Sequence, residues 1–367
     1  MRKRPAFAVA AATVALAALT ACTGAQGTTP DPAPTAVSTA PLADLDILDD
    51  PRSFEGPSTA LLQQDDIEPI TESPQQQLPT TVTSHDRSGD QPVSVTSTDG
   101  VLGLDIAGSI AATIAGLGFA DSLVGRDVST TFPAAEDLPV VTSSGHSINA
   151  EAVLSLRPTL VITDGTIGPI DVVLQLRDAG IPVVFVDREP SIAGVGELAR
   201  QVGAAFGAAH TGELLAAHLL ERTEQKIAEI AEIAPTDPDD QLRVLFLYLR
   251  GSAGIYYLFG AESGADVLIN SLGARDIAGE NGWDGMKPMT DEALIAANPD
   301  LILVMSSGLE SAGGIDALLA DKPAIGLTAA GERRRFVDMD DGDILSFGPR
   351  LPDVLDALAR AIYAPGQ

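Results

Sequence analysis

Cysteine is almost missing: 367 residues contain one, Cys22, so an internal disulfide is excluded. Positive charge is also short. Lys and Arg number 22 against 51 Asp and Glu, and the formal net charge is −29. Such a chain repels phosphate backbones, which argues against nucleic acid as a partner. Histidine occurs four times and aromatic residues make up only 4%. The sequence holds no Gly-x-Ser-x-Gly elbow, no P-loop and no His-Glu-x-x-His, so it names no catalytic set and reads as a non-enzyme. Acidic residues are too abundant to single out a carboxylate pair. Long apolar runs are confined to the first residues. With 45% hydrophobic residues the chain can still bury a sizeable core.

The N-terminus reads as a leader. "MRKR" is a positive segment, and the apolar run after it is too short and too rich in alanine for a membrane span. The run ends in "LTAC" (19–22), which resembles a bacterial lipobox, with Cys22 as the lipidated residue. An ordinary secretory signal with a chance cysteine is the alternative. The lipobox implies a domain anchored to the outer face of the cytoplasmic membrane. Residues 23–91 are rich in Thr, Pro, Ser, Asp and Gln and are expected to form a disordered tether, with a short helix near 56–66 as the one exception.

From 92 onward, strands alternate with helices. The pattern predicts an α/β lobe over 92–206, a long bridging helix over 207–236 and a second α/β lobe over 237–367. A repeat supports two similar lobes. "INAEAVLSLRPTLVI" (148–162) and "MTDEALIAANPDLIL" (289–303) each place a glutamate at a helix start, Glu151 or Glu292. Each then has a proline, Pro158 or Pro299, followed by a strand.

Tyrosine is concentrated. Three of the four tyrosines fall in "RVLFLYLRGSAGIYYLFG" (243–260). Tyr248 and Arg250 are two apart on a strand, so they share a face. A phenol ionises near pH 10, and a neighbouring cation stabilises the phenolate that ferric iron favours. A half-buried tyrosine beside a solvated arginine fits the same residues. His146 lies in a loop before a helix that Ser147 or Asn149 can cap. Loops at the carboxyl edge of a parallel sheet are where α/β proteins bind ligands, though a plain surface histidine fits equally. His85 falls in the expected tether, and His210 and His218 fall on the long helix.

Several stretches together carry a resemblance. "GRDVSTTFP" (125–133), "GHSINAEAVLSLRPTLVITDG" (145–165), Tyr-Leu-Arg (248–250) and "SFGPRLP" (346–352) resemble the haemin-binding lipoproteins of actinobacterial ABC importers. The resemblance covers about 92–367. It implies the class III substrate-binding fold: two Rossmann-like α/β lobes bridged by a single long helix. It implies haem b as transported cargo, with His146 and Tyr248 as axial ligands and Arg250 supporting the tyrosine oxygen. It implies a permease with ATPase subunits as partner, and a monomer. Glu151 would dock the permease from one lobe. Glu292 would do so from the other, with Glu280 as its rival. Dipole complementation at a helix start is the local alternative for both.

A porphyrin needs apolar walls and a few polar anchors. Candidate walls are Tyr256, Tyr257, Trp283, Met286 and Met289, with core packing as the alternative for Trp283. Candidate propionate partners are Arg126, Ser143 and Ser144. A zinc or manganese site wants three or four His, Asp or Glu ligands, and only His146 is well placed. A ferric siderophore or corrinoid would not require His146 and Tyr-x-Arg together. An electron-transfer haem protein would show Cys-x-x-Cys-His or Met/His ligation, and this chain has no such cysteine motif.

Overall fold

The computed structural model describes residues 38–143, 146–251 and 255–367. Cys22 and the leader lie outside the described residues. No described helix is long and apolar enough to cross a membrane.

The expected tether is corrected over 38–91. This stretch is packed, and it carries β1 (Ser58–Thr59), β2 (Thr80–Asp86) and the start of β3 (Gly89–Val95). β2 and β3 form an antiparallel hairpin. Leu42 and Ala60 are buried in the main core. The predicted helix near 56–66 does not form, because Ser58 and Thr59 join a sheet instead. Local composition misled here: the partners that order the segment lie hundreds of residues away.

The first lobe follows. β4 (Val101–Leu104) leads into α1 (Ser109–Gly116). α2 (Ala150–Leu156), β5 (Leu160–Thr163), α3 (Ile170–Asp178), β6 (Val183–Phe185) and α4 (Ile192–Ala205) complete it. β4, β5 and β6 form a parallel sheet, and every position in them is buried. Both faces are therefore covered, which is why these strands read as continuous apolar runs rather than alternations.

α5 (Ala209–Ile233) is the long bridging helix, 25 residues. Its buried residues include Thr211, Leu215, Ala216, Leu219 and Thr223, the three-and-four spacing of one helix face. A turn at Gly207, with φ +66°, separates it from α4. The two helices then pack closely: a Cβ on Gly203 would lie 2.7 Å from the Gly212 Cα.

The second lobe holds a mixed seven-stranded sheet. It contains β7 (Arg243–Arg250), β8 (Ile255–Phe259), β9 (Arg275–Asp276), β10 (Met286–Pro288), β11 (Leu301–Met305) and β12 (Phe336–Met339). β7, β11 and β12 run parallel, and β1 adds a parallel edge to β12. β8 and β10 continue antiparallel on the far side of β7. A last helix, Leu351–Tyr363, is buried along its length.

The repeat is structural. α2 is capped by Asn149 and the helix Asp291–Ala297 by Thr290. Each ends in a left-handed residue, Arg157 (φ 50°) or Asn298 (φ 42°), before its proline and strand.

Arg335 ties the N-terminal segment to the second lobe. It is fully buried. Its Nη1 donates to Ser58 Oγ at 2.7 Å, and Nη2 donates to the Ala361 and Ile362 carbonyls at 2.9 Å each. The guanidinium also lies 4.7 Å from the Phe54 ring centre. While Ser58 Oγ still donates to the Ala361 carbonyl, Arg335→Ala leaves the Ile362 carbonyl without its side-chain donor and empties the site. It should lower the unfolding free energy by about 3 kcal/mol in urea titrations.

Candidate functional site

Period-two alternation sorts the residues of β7. Leu245, Leu247 and Leu249 pack into one core. Val244 and Phe246 pack into the other. Tyr248 and Arg250 continue the Val244–Phe246 row past the end of the core. Burial falls along it: Phe246 is buried, Tyr248 half-buried and Arg250 exposed. The Tyr248 ring meets the Phe259 ring edge-on, with centres 5.9 Å apart.

Register extends this face. Tyr248 pairs with Tyr257, Tyr257 with Pro288, and Phe259 with Met286. Directly opposed residues share a face. Tyr248, Tyr257, Phe259 and Met286 therefore form one apolar surface beside Arg250. Met286 is 56% exposed. Phe259 was missed in the sequence reading, though its place two residues beyond Tyr257 was the signal.

His146 belongs to the other lobe. Its backbone is left-handed, φ 57°. Its N–H donates to the Ser143 carbonyl at 3.0 Å. Asn149, rather than Ser147, caps the helix that follows, accepting from the Ala152 N–H at 3.1 Å. His146 Nδ1 is buried with no hydrogen-bond partner among the described residues. Burial pulls the imidazole pKa below its ordinary value, and the Asp341 carboxylate pulls it partly back. Asp341 follows β12 and accepts from the Ser307 N–H at 3.1 Å. His146 thus sits within electrostatic reach of the second lobe.

The carboxyl ends of both sheets meet in one place. Asp105, Asp164 and Arg188, which follow β4, β5 and β6, line a cavity with Leu345 and Phe347 of the second lobe. Neither His146 nor Tyr248 lines it. Among the described residues, no group of three or more His, Cys, Asp or Glu is arranged to hold a metal ion.

Residues 106–342 match the family described as periplasmic binding protein. The chain belongs to that family. The crystal structure of the heme-binding protein HmuT is 39% identical with a TM-score of 0.80, and the match covers 86% of this chain and 99% of that one. Solved structures of HmuT include alanine variants of a tyrosine, of the arginine two residues beyond it, and of a histidine. The periplasmic heme-binding protein RhuT from Roseiflexus sp. RS-1 is 34% identical with a TM-score of 0.63, covering 74% of this chain and 100% of that one. An uncharacterised ABC transporter substrate-binding lipoprotein of Bacillus subtilis, YvrC, is 29% identical over 255 residues, 67% of this chain and 75% of that one.

Several candidate contacts of this binding protein are placed elsewhere. Tyr256 alternates to the opposite face of β8. It is 8% exposed, and its hydroxyl bonds Asp291 at 2.5 Å. Met289 is buried in the same core, and Trp283 packs against it. These three support the second lobe from within. Arg126 is spent on its own loop, donating to the carbonyls of Thr130 at 3.1 Å and Glu136 at 3.3 Å. Ser143 is exposed beside His146. Ser144 lies outside the described residues.

His85 is not in a free tether: its Nδ1 lies 3.1 Å from Asp90. His210 and His218 are exposed on α5. Glu151 and Glu292 are both exposed in the first turns of their helices. Glu280 is instead paired with Arg275 at 2.7 and 3.0 Å.

The His146–Asp341 relation is testable across the lobes. Removing the carboxylate in Asp341→Asn removes the influence that raises the imidazole pKa. The His146 midpoint should fall further below that of a free histidine, as read by NMR titration of the ligand-free protein. An unchanged midpoint would mean the two groups do not face each other in solution.

Proposed function

We propose that this chain captures haem between its lobes and delivers it to an ABC importer. The observation that carries the reading is the division of the ligand set. His146 stands on one lobe, and Tyr248 with Arg250 stands on the other, in a chain 39% identical to a heme-binding protein.

The chemistry fits these residues. An imidazole whose pKa is lowered by burial stays neutral, which is the state that binds iron. Tyr248 offers a phenol oxygen, and tyrosine is an established type of haem ligand. Arg250, two residues further along the same strand face, would support the tyrosine oxygen when iron is bound. Tyr257, Phe259 and Met286 supply a flat apolar wall of the kind a porphyrin covers. Haem b is the cargo.

Glu151 and Glu292 serve as docking points for the permease, one per lobe, with ATPase subunits behind it. Cys22 carries the lipid that holds the protein to the outer face of the cytoplasmic membrane. The protein binds and hands over, and it catalyses nothing.

Absorption spectra of the protein with haemin test the reading. The parent should develop a shifted Soret band. His146→Ala and Tyr248→Ala should each change that band and weaken binding by at least about tenfold, the loss of one coordinating partner. Arg250→Ala should keep binding but alter the ferric spectrum. Parental spectra and affinity in both ligand variants would overturn the proposed ligation. No Soret shift in the parent would overturn the function, leaving a ferric siderophore or corrinoid as cargo.

A further inference from the structure

The N-terminal segment crosses between the lobes. Its first half is fastened to the second lobe. β1 pairs with β12, and the Leu48 N–H donates to the Tyr363 carbonyl at 2.9 Å. The Gly56 N–H donates to Arg333 O at 2.9 Å, and Arg360 donates to Ala40 O at 2.7 Å. The buried Arg335 grips Ser58 from beneath.

Its second half is fastened to the first lobe. The Ile70 N–H donates to Gly116 O at 2.8 Å, and the Gln77 N–H to Gly207 O at 2.9 Å. Gln76 bonds Thr98 at 2.7 Å. Ser84 Oγ accepts from the Phe185 N–H at 2.8 Å, and Arg177 pairs with Asp86 at 2.9 Å. Between the two anchorages, residues 64–70 pass over α5. There they line a groove with Leu215, Leu219, Arg222, Pro349 and Asp353.

The lobes are thus joined twice, by α5 and by this strap. A single helix leaves two bodies free to twist about it. A second crossing, anchored at both ends, removes that freedom. Each anchorage has several hydrogen bonds, which must break together for that end to detach. The family match begins at residue 106, after the strap. RhuT is matched over its whole length by 74% of this chain.

We propose that residues 38–95 are a brace that sets the separation of the lobes, and with it the spacing of the His146 and Tyr248 half-sites. The second clause rests on the haem reading; the first does not. The two half-sites act as a linked bivalent receptor, and the brace raises the effective concentration of one at the other. Positioning is the role assigned to the strap, since none of its residues is placed in contact with the cargo.

The test is to cut the crossing while leaving both anchorages docked. Gln63 to Asp66 are exposed and can be replaced by a protease site of equal length in the full chain. Spin labels on Leu154→Cys and Ile295→Cys, both exposed, report the lobe separation in a Cys22→Ser background. Cleavage should broaden the label–label distance distribution. It should also speed haemin loss about tenfold without moving the Soret band of the bound form.

A strap that merely covers surface would leave both readouts unchanged, and that result overturns the brace. If haemin fails to bind the uncut protein, the proposed cargo is wrong, and the distance measurement alone then decides the brace. A broadened distribution in that case still supports it.

Discussion

The constraint on which this molecule depends is that the parallel strands of two sheets point their carboxyl ends toward the same gap. Where such strands are buried on both faces, their side chains cannot serve a ligand. Function is pushed to the loops where the strands end. β4 to β6 end at Asp105, Asp164 and Arg188, and these share a cavity with residues that follow β12. Tyr248 and Arg250 close β7 on the same principle, as the last residues of a row whose earlier members are core. His146 is the loop residue of the first lobe that feels a carboxylate of the second.

Facing loops must hold their shape, and buried carboxylates do this in the first lobe. Asp105 accepts from the N–H groups of Ser109 at 2.9 Å and Ile110 at 3.0 Å, fixing the start of α1. Asp127 accepts from the Ser129 and Thr130 N–H groups at 2.9 Å each, folding the loop onto itself. It also accepts from the Asp105 N–H at 3.1 Å. Gathering such groups away from water has a cost. Burial pushes the Asp127 pKa up to about 6, and it raises Asp105 and Asp164 as well. The loop so formed is wedged between lobes. A Cβ on Gly108 would fall 2.5 Å from the Ser129 carbonyl oxygen, and one on Gly342, in the second lobe, 2.7 Å from it. At this point the lobes meet through closely packed backbone.

Much of this was legible in the sequence where a signal was local. The helix–proline–strand repeat announced itself through Glu151 and Glu292, each three residues or fewer from a capping side chain. The Tyr248–Arg250 face followed from the two-residue period of a strand. The same period could have separated Tyr256 from Tyr257, since adjacent residues in a strand point to opposite faces. What it could not supply was register. Only the pairing of β8 with β10 places Met286 beside Phe259, and only the fold sends Met289 into a core. The strap was illegible for the same reason. Its prolines and polar residues look like tether because its bonding partners, among them Arg335, Tyr363 and Gly207, lie far along the chain.

A ligand site split between two bodies faces a conflict. Holding the cargo firmly favours half-sites kept at one spacing, while handing it on favours lobes that can be driven apart. In the proposed ligation, coordination would supply part of the hold, but only when both half-sites reach the metal together. A loosely hinged pair would spend binding energy on bringing them into register. A strap fastened to both lobes relieves that cost before the cargo arrives. It also means that release cannot come from idle hinge motion. On the proposed reading it requires a partner that engages both lobes, with Glu151 and Glu292, exposed alike on the two repeats, as the proposed points of hold.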